Sequence, residues 1–222
     1  MEILNSSREG LMSKVNIPFV NPELNLGTKV AIVGSSGTLR DSEYGDLIND
    51  HDEVIRFNRA PVENYENLVG AKTTLRVANN HVFANVDIST EGYTNSPKNF
   101  IKDLRNSRIL FIGPDYAPWI NRHQHVHDSN QLFLYDFSSM NRIKSLLNCN
   151  FPRNLLVGSA MTCLCILAGI KPHLFGFDTD PIARTHYYQQ RPKEWDNINH
   201  NPSSEQKMLL RLEREEKIII YR

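Results

Sequence analysis

No run of apolar residues in this 222-residue chain approaches the ~20 needed to cross a bilayer as a helix. The opening stretch, MEILNSSREGLMSKVNIPF, has neither the basic start nor the apolar block of a secretory leader. The expectation is therefore a cytoplasmic protein with no integral membrane segment. Cysteine is scarce: Cys149, Cys163 and Cys165 are an odd number at irregular spacing, which excludes a disulfide framework or zinc knuckle and predicts buried, reduced thiols. Net charge is absent as well, with 25 Lys and Arg against 25 Asp and Glu, so no broad basic footprint for nucleic acid or anionic membrane exists. A local basic pocket stays open. Neither the dinucleotide fingerprint GxGxxG nor the P-loop GxxxxGK[ST] occurs, and no internal repeat or low-complexity tract is present.

What is present reads as one globular domain. Residues 1–27 hold Asn, Pro, Ser and Gly with little periodicity and read as an arm or loosely packed lead-in, leaving 28–222 as a single domain. KVAIVG (29–34), EVIRFN (53–58), TLRVAN (74–79), RILFIG (108–113), QLFLYDF (131–137) and PHLFGF (172–177) are near-continuous apolar runs that suit strands buried on both faces, with KIIIY (217–221) as a last strand. Helical patterns cover 138–148, 158–169 and 202–217. The alternation predicts an α/β fold with a mostly parallel central sheet flanked by helices.

Ligands of such sheets sit at the carboxyl ends of strands, where glycine turns and helix N-termini offer backbone N–H groups to phosphate. VGSSGTL after the first buried strand is one such place, and VGSAMT, where Gly158 and Ser159 open a helix, is another. Near the C-terminus, HNPSSE places His200 just before a helix capped by Asn201, with Pro202 in its first turn and Glu205 a turn inside. Taken singly these are a tight turn, a helix start and a loop histidine.

Taken in order they resemble a known family. Residues 30–74, with G-x-S-G, Y-G, the I-x-x-H-D-x-V-x-R-x-N-R-A-P block and V-G-x-K-T-T, closely resemble the large sialylmotif of glycosyltransferase family 29. NLLVGSAMTCLCILAGIKPHLFGF (154–177) is similar to the small motif, HYYQ (186–189) to the third, and His200 with Glu205 to the very small motif. The resemblance runs from about residue 29 to the C-terminus.

It implies a GT-A variant, a single Rossmann-like domain, and inverting, metal-independent transfer of sialic acid from CMP-sialic acid to a glycan acceptor, with no cofactor. By that resemblance Ser35, Ser36, Gly37 and Asn58 line the CMP pocket, and Gly158 and Ser159 meet the phosphate or ribose. Tyr187 and Glu205 border the substrate, His186 stabilises the departing phosphate, and His200 is the catalytic base. The chemistry is consistent: the leaving phosphate gains charge that pre-placed donors stabilise. An imidazole suits deprotonation of an acceptor hydroxyl at neutral pH.

Some positions depart from the family's pattern. Ser35 stands where the family usually has Asn, and Leu156 and Val157 where it has Ser-Thr, which leaves CMP-Kdo or another CMP-ulosonate open as donor. Val30 and Gly169 stand where the family's disulfide has its two cysteines. Asp178-Thr179-Asp180 spells the D-x-D of metal-dependent sugar transferases, so a metal-dependent NDP-sugar transferase is one alternative; a solvated acidic loop is the plainer reading. His123, His125 and His127 with Asp128 could bind Zn²⁺ or touch the acceptor, or form an ordinary loop. A catalytically silent nucleotide- or glycan-binding domain on the same fold is a further alternative.

Overall fold

The computed structural model of the chain describes residues 14–79, 107–113, 132–135, 139–149, 154–177, 185–190 and 202–222. The chain begins with β1 (Val15–Ile17), β2 (Val20–Asn21) and β3 (Leu24–Leu26). β4 (Val30–Val33) leads through a 3-10 turn (Gly37–Asp41) and α1 (Gly45–Asn49) to β5 (Glu53–Phe57). α2 (Glu66–Val69), β6 (Leu75–Asn79), β7 (Arg108–Ile112) and β8 (Leu132–Tyr135) follow. Then come α3 (Met140–Leu146), α4 (Val157–Leu167), β9 (His173–Phe175), and the two short strands β10 (Thr185–His186) and β11 (Gln189–Gln190). α5 (Pro202–Arg214) and β12 (Ile219–Tyr221) close the chain.

One eight-stranded sheet runs in the order β12-β9-β4-β5-β6-β7-β8-β2. Its neighbours are parallel from β12 to β8, and β2 closes the edge antiparallel to β8. This is the α/β class that the apolar runs predict. All four residues of β4 and all five of β5 are buried, which is why those runs do not alternate. From β4 the chain steps outward to β8, then returns to lay β9 and β12 on β4's other flank. The direction of winding therefore reverses between β4 and β9.

Residues 15–26 are not a loose lead-in. β1 pairs with β3, β2 joins the main sheet, and Ile17, Val20, Leu24 and Leu26 are buried in the larger core cluster. The Arg142 guanidinium of α3 lies 5.1 Å from the Phe19 ring centre, tying the segment to the helical layer. Pro18 and Pro22 break the apolar spacing into strands of two or three residues, too short to show a period. The three cysteines are free and buried, as expected of reduced thiols. Burial raises the pKa of each.

At the sheet's amino end, away from the glycine turns, two imidazoles meet. His51 Nδ1 lies 2.9 Å from the Leu47 carbonyl, so it donates there. With both rings neutral, His51 Nε2 is then the acceptor for His173 Nδ1 at 2.9 Å, and the bond is lost when both rings are protonated, since neither nitrogen can then accept. Burial lowers both pKa values, and the His51 charge also lowers that of His173. Folded-state values below the ordinary ~6.5 mean that the unfolded chain binds protons first, so the contribution is present above that pH and lost as pH falls below it. This pair's share of the stability is expected to fall between pH 7 and pH 5. Thermal melts should therefore show a His51→Gln/His173→Gln variant gaining stability relative to wild type as pH falls across that range.

Candidate active site

The reversal between β4 and β9 fixes the place to look, because ligands of open α/β sheets bind beyond the carboxyl ends of the strands at such a switch point. There the Gly34 amide donates to the Phe175 carbonyl at 2.7 Å and the Ser36 amide to the Gly176 carbonyl at 3.1 Å. The two strand ends touch backbone to backbone: a Cβ on Gly34 would lie 2.4 Å from the Gly176 oxygen. Gly176 has φ +66, and a Cβ there would meet the Leu39 side chain at 2.4 Å. Packing within the fold thereby explains both glycines, Gly34 against the Gly176 carbonyl and Gly176 against Leu39.

The Ser36 side chain turns inward. Its hydroxyl accepts from the Thr38 amide at 3.1 Å and the Thr38 hydroxyl at 3.0 Å, capping the 3-10 turn. Leu39, in that turn, is buried and anchors it. Of the expected pocket residues in this loop, Ser35 and Gly37 are part-exposed while Ser36 is buried.

The hairpin β10–β11 brings His186 to this turn, from 151 residues further along the chain. Ser36 and His186 form an antiparallel bridge, and the Tyr187 amide donates to the Ser35 carbonyl at 3.1 Å. His186 Nδ1 lies 3.2 Å from that same carbonyl and so carries the proton. The Tyr188 ring stacks on the imidazole, with centroids 4.9 Å apart and planes 2° from parallel. Arg40 donates from Nε to the Tyr187 carbonyl at 3.1 Å and from Nη2 to the His186 carbonyl at 2.6 Å.

Tyr187 is different. Its ring is 4% exposed, its hydroxyl donates to the Pro61 carbonyl, and Tyr65 packs edge-on against it at 5.1 Å. Burial pushes its pKa up to about 12. The structure places Tyr187, expected at the substrate, within the second core cluster.

α4 opens at the same end of the sheet. Gly158 and Ser159 sit in its first turn as expected, with Gly158 beneath the Phe177 ring. Glu205, from the first turn of α5, reaches this helix mouth: both carboxylate oxygens accept the Leu156 amide, at 3.0 and 3.1 Å, and the Ser159 hydroxyl bonds to it as well. Glu205 is 2% exposed, and burial pushes its pKa up to about 7 against the two hydrogen bonds that favour the anion. The Glu205 carboxylate therefore caps α4 and does not line an open cleft, and the Ser159 hydroxyl is engaged by it. Leu156 at the start of this helix makes no side-chain cap bond, and a carboxylate from a neighbouring helix caps it.

Asn58 ends β5 in the left-handed region, φ 47, and its Oδ1 accepts the Asn79 amide at 3.3 Å, joining the carboxyl ends of β5 and β6. Arg56 and Arg59 of the same block are scaffold: both are buried, and Arg56 donates to the carbonyls of Val69, Gly70 and Lys72. Burial, with the charge of Arg76 beside it, lowers the Arg56 pKa to about 9. His200, Asn201, Asp178, Thr179, Asp180, His123, His125, His127 and Asp128 lie outside the described residues. Among the described residues no cluster of three or more His, Cys, Asp or Glu could hold a metal ion.

Comparison with known proteins bears on the same blocks. Residues 17–217 match the model of glycosyltransferase family 29 (sialyltransferase). Human beta-galactoside alpha-2,6-sialyltransferase 1 is 41% identical over 85 residues, 38% of this chain and 18% of that protein. The beta-1,6-galactosyltransferase GALT29A of Arabidopsis thaliana is 50% identical over 52 residues, 23% of this chain and 13% of its own length. The matches thus span less than a fifth of each of these relatives. A mammalian sialyltransferase crystallised with Gal-beta-1-3GalNAc-ortho-nitrophenol has the same fold, with a TM-score of 0.62 and 20% identity over 86% of this chain and 68% of that one.

Two substitutions test this geometry. Gly34→Ala forces the Gly176 carbonyl away and is expected to cost about 1–3 kcal/mol, as other overpacked sites do, read as a lowered midpoint in chemical denaturation. For Glu205, a folded-state pKa raised to about 7 means that its bound proton stabilises the fold at acid pH and that this contribution is lost as pH rises through about 7. Glu205→Gln cannot lose that proton, so its stability relative to wild type should rise by up to about 3 kcal/mol between pH 4.5 and pH 8.

Proposed function

We propose that this chain, which belongs to glycosyltransferase family 29, transfers sialic acid or a related ulosonate such as Kdo from its CMP-activated donor to a glycan hydroxyl. The reaction is inverting and metal-independent, on a Rossmann-like GT-A variant. What supports the reading is one juxtaposition: at the switch point between β4 and β9, the Ser35–Ser36 turn is joined by a backbone bridge to His186, with the mouth of α4 at the same end of the sheet.

In a single displacement, the acceptor oxygen forms a bond to the anomeric carbon as that carbon's bond to the phosphate oxygen breaks. CMP leaves with the electron pair, and the acceptor proton passes to a base, the imidazole of His200. Donors fixed in advance at the phosphate stabilise the charge that builds there. Because His186 Nδ1 is committed to the Ser35 carbonyl, a bond from this ring to phosphate must come from Nε2–H, so His186 acts as the imidazolium. The same two groups then supply a cation and a base without a metal ion. The inward hydroxyls of Ser36 and Ser159 shape the turn and the helix mouth, leaving backbone amides as the uncharged phosphate donors.

A second donor reading is favoured by one observation, the 50% identity to a relative named as a galactosyltransferase. The family's motifs are thus compatible with more than one transferred sugar. Thermal shifts with CMP, CDP, UDP and GDP, with and without EDTA, separate the two. Stabilisation by CMP that EDTA leaves unchanged is expected; stabilisation only by another nucleotide diphosphate, abolished by EDTA, would overturn the CMP reading. His200→Ala should retain CMP binding and lose about 10²–10⁴-fold in turnover, the usual share of a general base. Unchanged turnover removes His200 from the reaction.

A further inference from the structure

The segment bearing His186 is a short hairpin anchored by one buried side chain, Tyr187, and by a few bonds to the glycine turn. β10 and β11 pair through two residues each, Thr185 with Gln190 and His186 with Gln189, and they form a separate two-stranded sheet. Two-stranded ribbons of this size are not stable alone in water, so the ring's position depends on what docks the hairpin to the glycine turn. Three attachments lie on the inner side: the Ser36–His186 bridge, the Tyr187 amide on the Ser35 carbonyl, and the Tyr187 hydroxyl on the Pro61 carbonyl. Among the described residues, the Arg40 side chain adds two further bonds to the hairpin backbone.

We infer that Arg40 is a positioning residue that clamps the hairpin onto the glycine turn and thereby sets the His186 imidazole at the donor phosphate. The inference rests on the proposed role of His186, and it adds a residue that touches neither substrate nor reacting atom. The Arg40 fork reaches two consecutive carbonyls at once, Nε to Tyr187 at 3.1 Å and Nη2 to His186 at 2.6 Å. Charge-assisted bonds of this kind are stronger than neutral ones, and the planar fork fixes an angle that an ammonium cannot. The residue's own backbone is held firmly: it lies in the 3-10 turn capped by Ser36, next to buried Leu39, whose side chain packs on Gly176. A rigid base, two bonds and a weak hairpin make a clamp. Because the bonds go to the His186 carbonyl and its neighbour, they restrain the backbone that carries the imidazole and keep Nδ1 against the Ser35 carbonyl.

The test compares wild type, Arg40→Ala and Arg40→Lys. Arg40 is exposed, so both variants are expected to melt near the wild-type temperature. Hydrogen exchange at the Tyr187 amide should speed up roughly tenfold or more in both, the loss expected for bonds to a charged donor. The ring ¹⁵N signals of His186 should move from the Nδ1–H tautomer toward the solvent-averaged mixture. Lysine should fail to rescue either readout. With donor and acceptor present, kcat should fall while the acceptor KM stays within about twofold, as when only transition-state interactions are lost. Unchanged Tyr187 exchange and unchanged His186 signals in Arg40→Ala would overturn the clamp, and full rescue by lysine would overturn the fork geometry. Should wild type bind no CMP while the exchange and tautomer effects are observed, the donor reading fails and the clamp stands, so the two can fail separately.

Discussion

Backbone contact between the end of β4 and the end of β9 constrains everything around it. A side chain on Gly34 would strike the Gly176 carbonyl, and one on Gly176 would strike Leu39, which fills the space beside them. That contact fixes where the first strand stops and the 3-10 turn starts. It sets the Ser35 carbonyl and the Ser36 backbone as docking points for the distant hairpin. It also lies where the sheet's winding reverses, the end at which open α/β sheets bind their ligands. Packing and site cannot be altered independently here.

A second junction lies at the mouth of α4. Glu205 carries the start of α5 onto the first turn of α4 through a carboxylate that is buried, shared between an amide and a hydroxyl, and poised near neutrality. A negative charge at a helix N-terminus is favourable, but one held away from water is costly, and the raised pKa records the balance. His200 precedes this helix in sequence. Glu205 therefore registers the first turn of α5 against the first turn of α4.

Much of the sheet was legible because burial on both faces leaves continuous apolar runs, and each of the seven long runs produced a strand. Helices α3, α4 and α5 were also legible, with α4 and α5 close to their expected bounds. The four-residue α2 and five-residue α1 were not, since so few residues show no helical period. Strands β1 to β3 were hidden by Pro18 and Pro22, and a segment read as a lead-in proved to be core. At the site, the pairing of His186 with the glycine turn could be expected only through family resemblance, because nothing local joins residues 151 apart. Glu205 was noticed but its destination was not, and Arg40 was missed altogether. Both bind backbone groups, and a backbone partner leaves no residue type for a pattern to reveal. The burial of Tyr187 was not legible because its type suits a ligand face and a core equally well.

Whether this end of the sheet receives a cytidine nucleotide is tested most directly by titrating isotope-labelled protein with CMP in the presence of EDTA and following amide resonances. The account predicts saturable shifts concentrated at residues 35–38, at His186 and in the first turn of α4, with His51 and His173 at the sheet's far end unmoved. Shifts confined to other surfaces, or none at millimolar CMP, would contradict it.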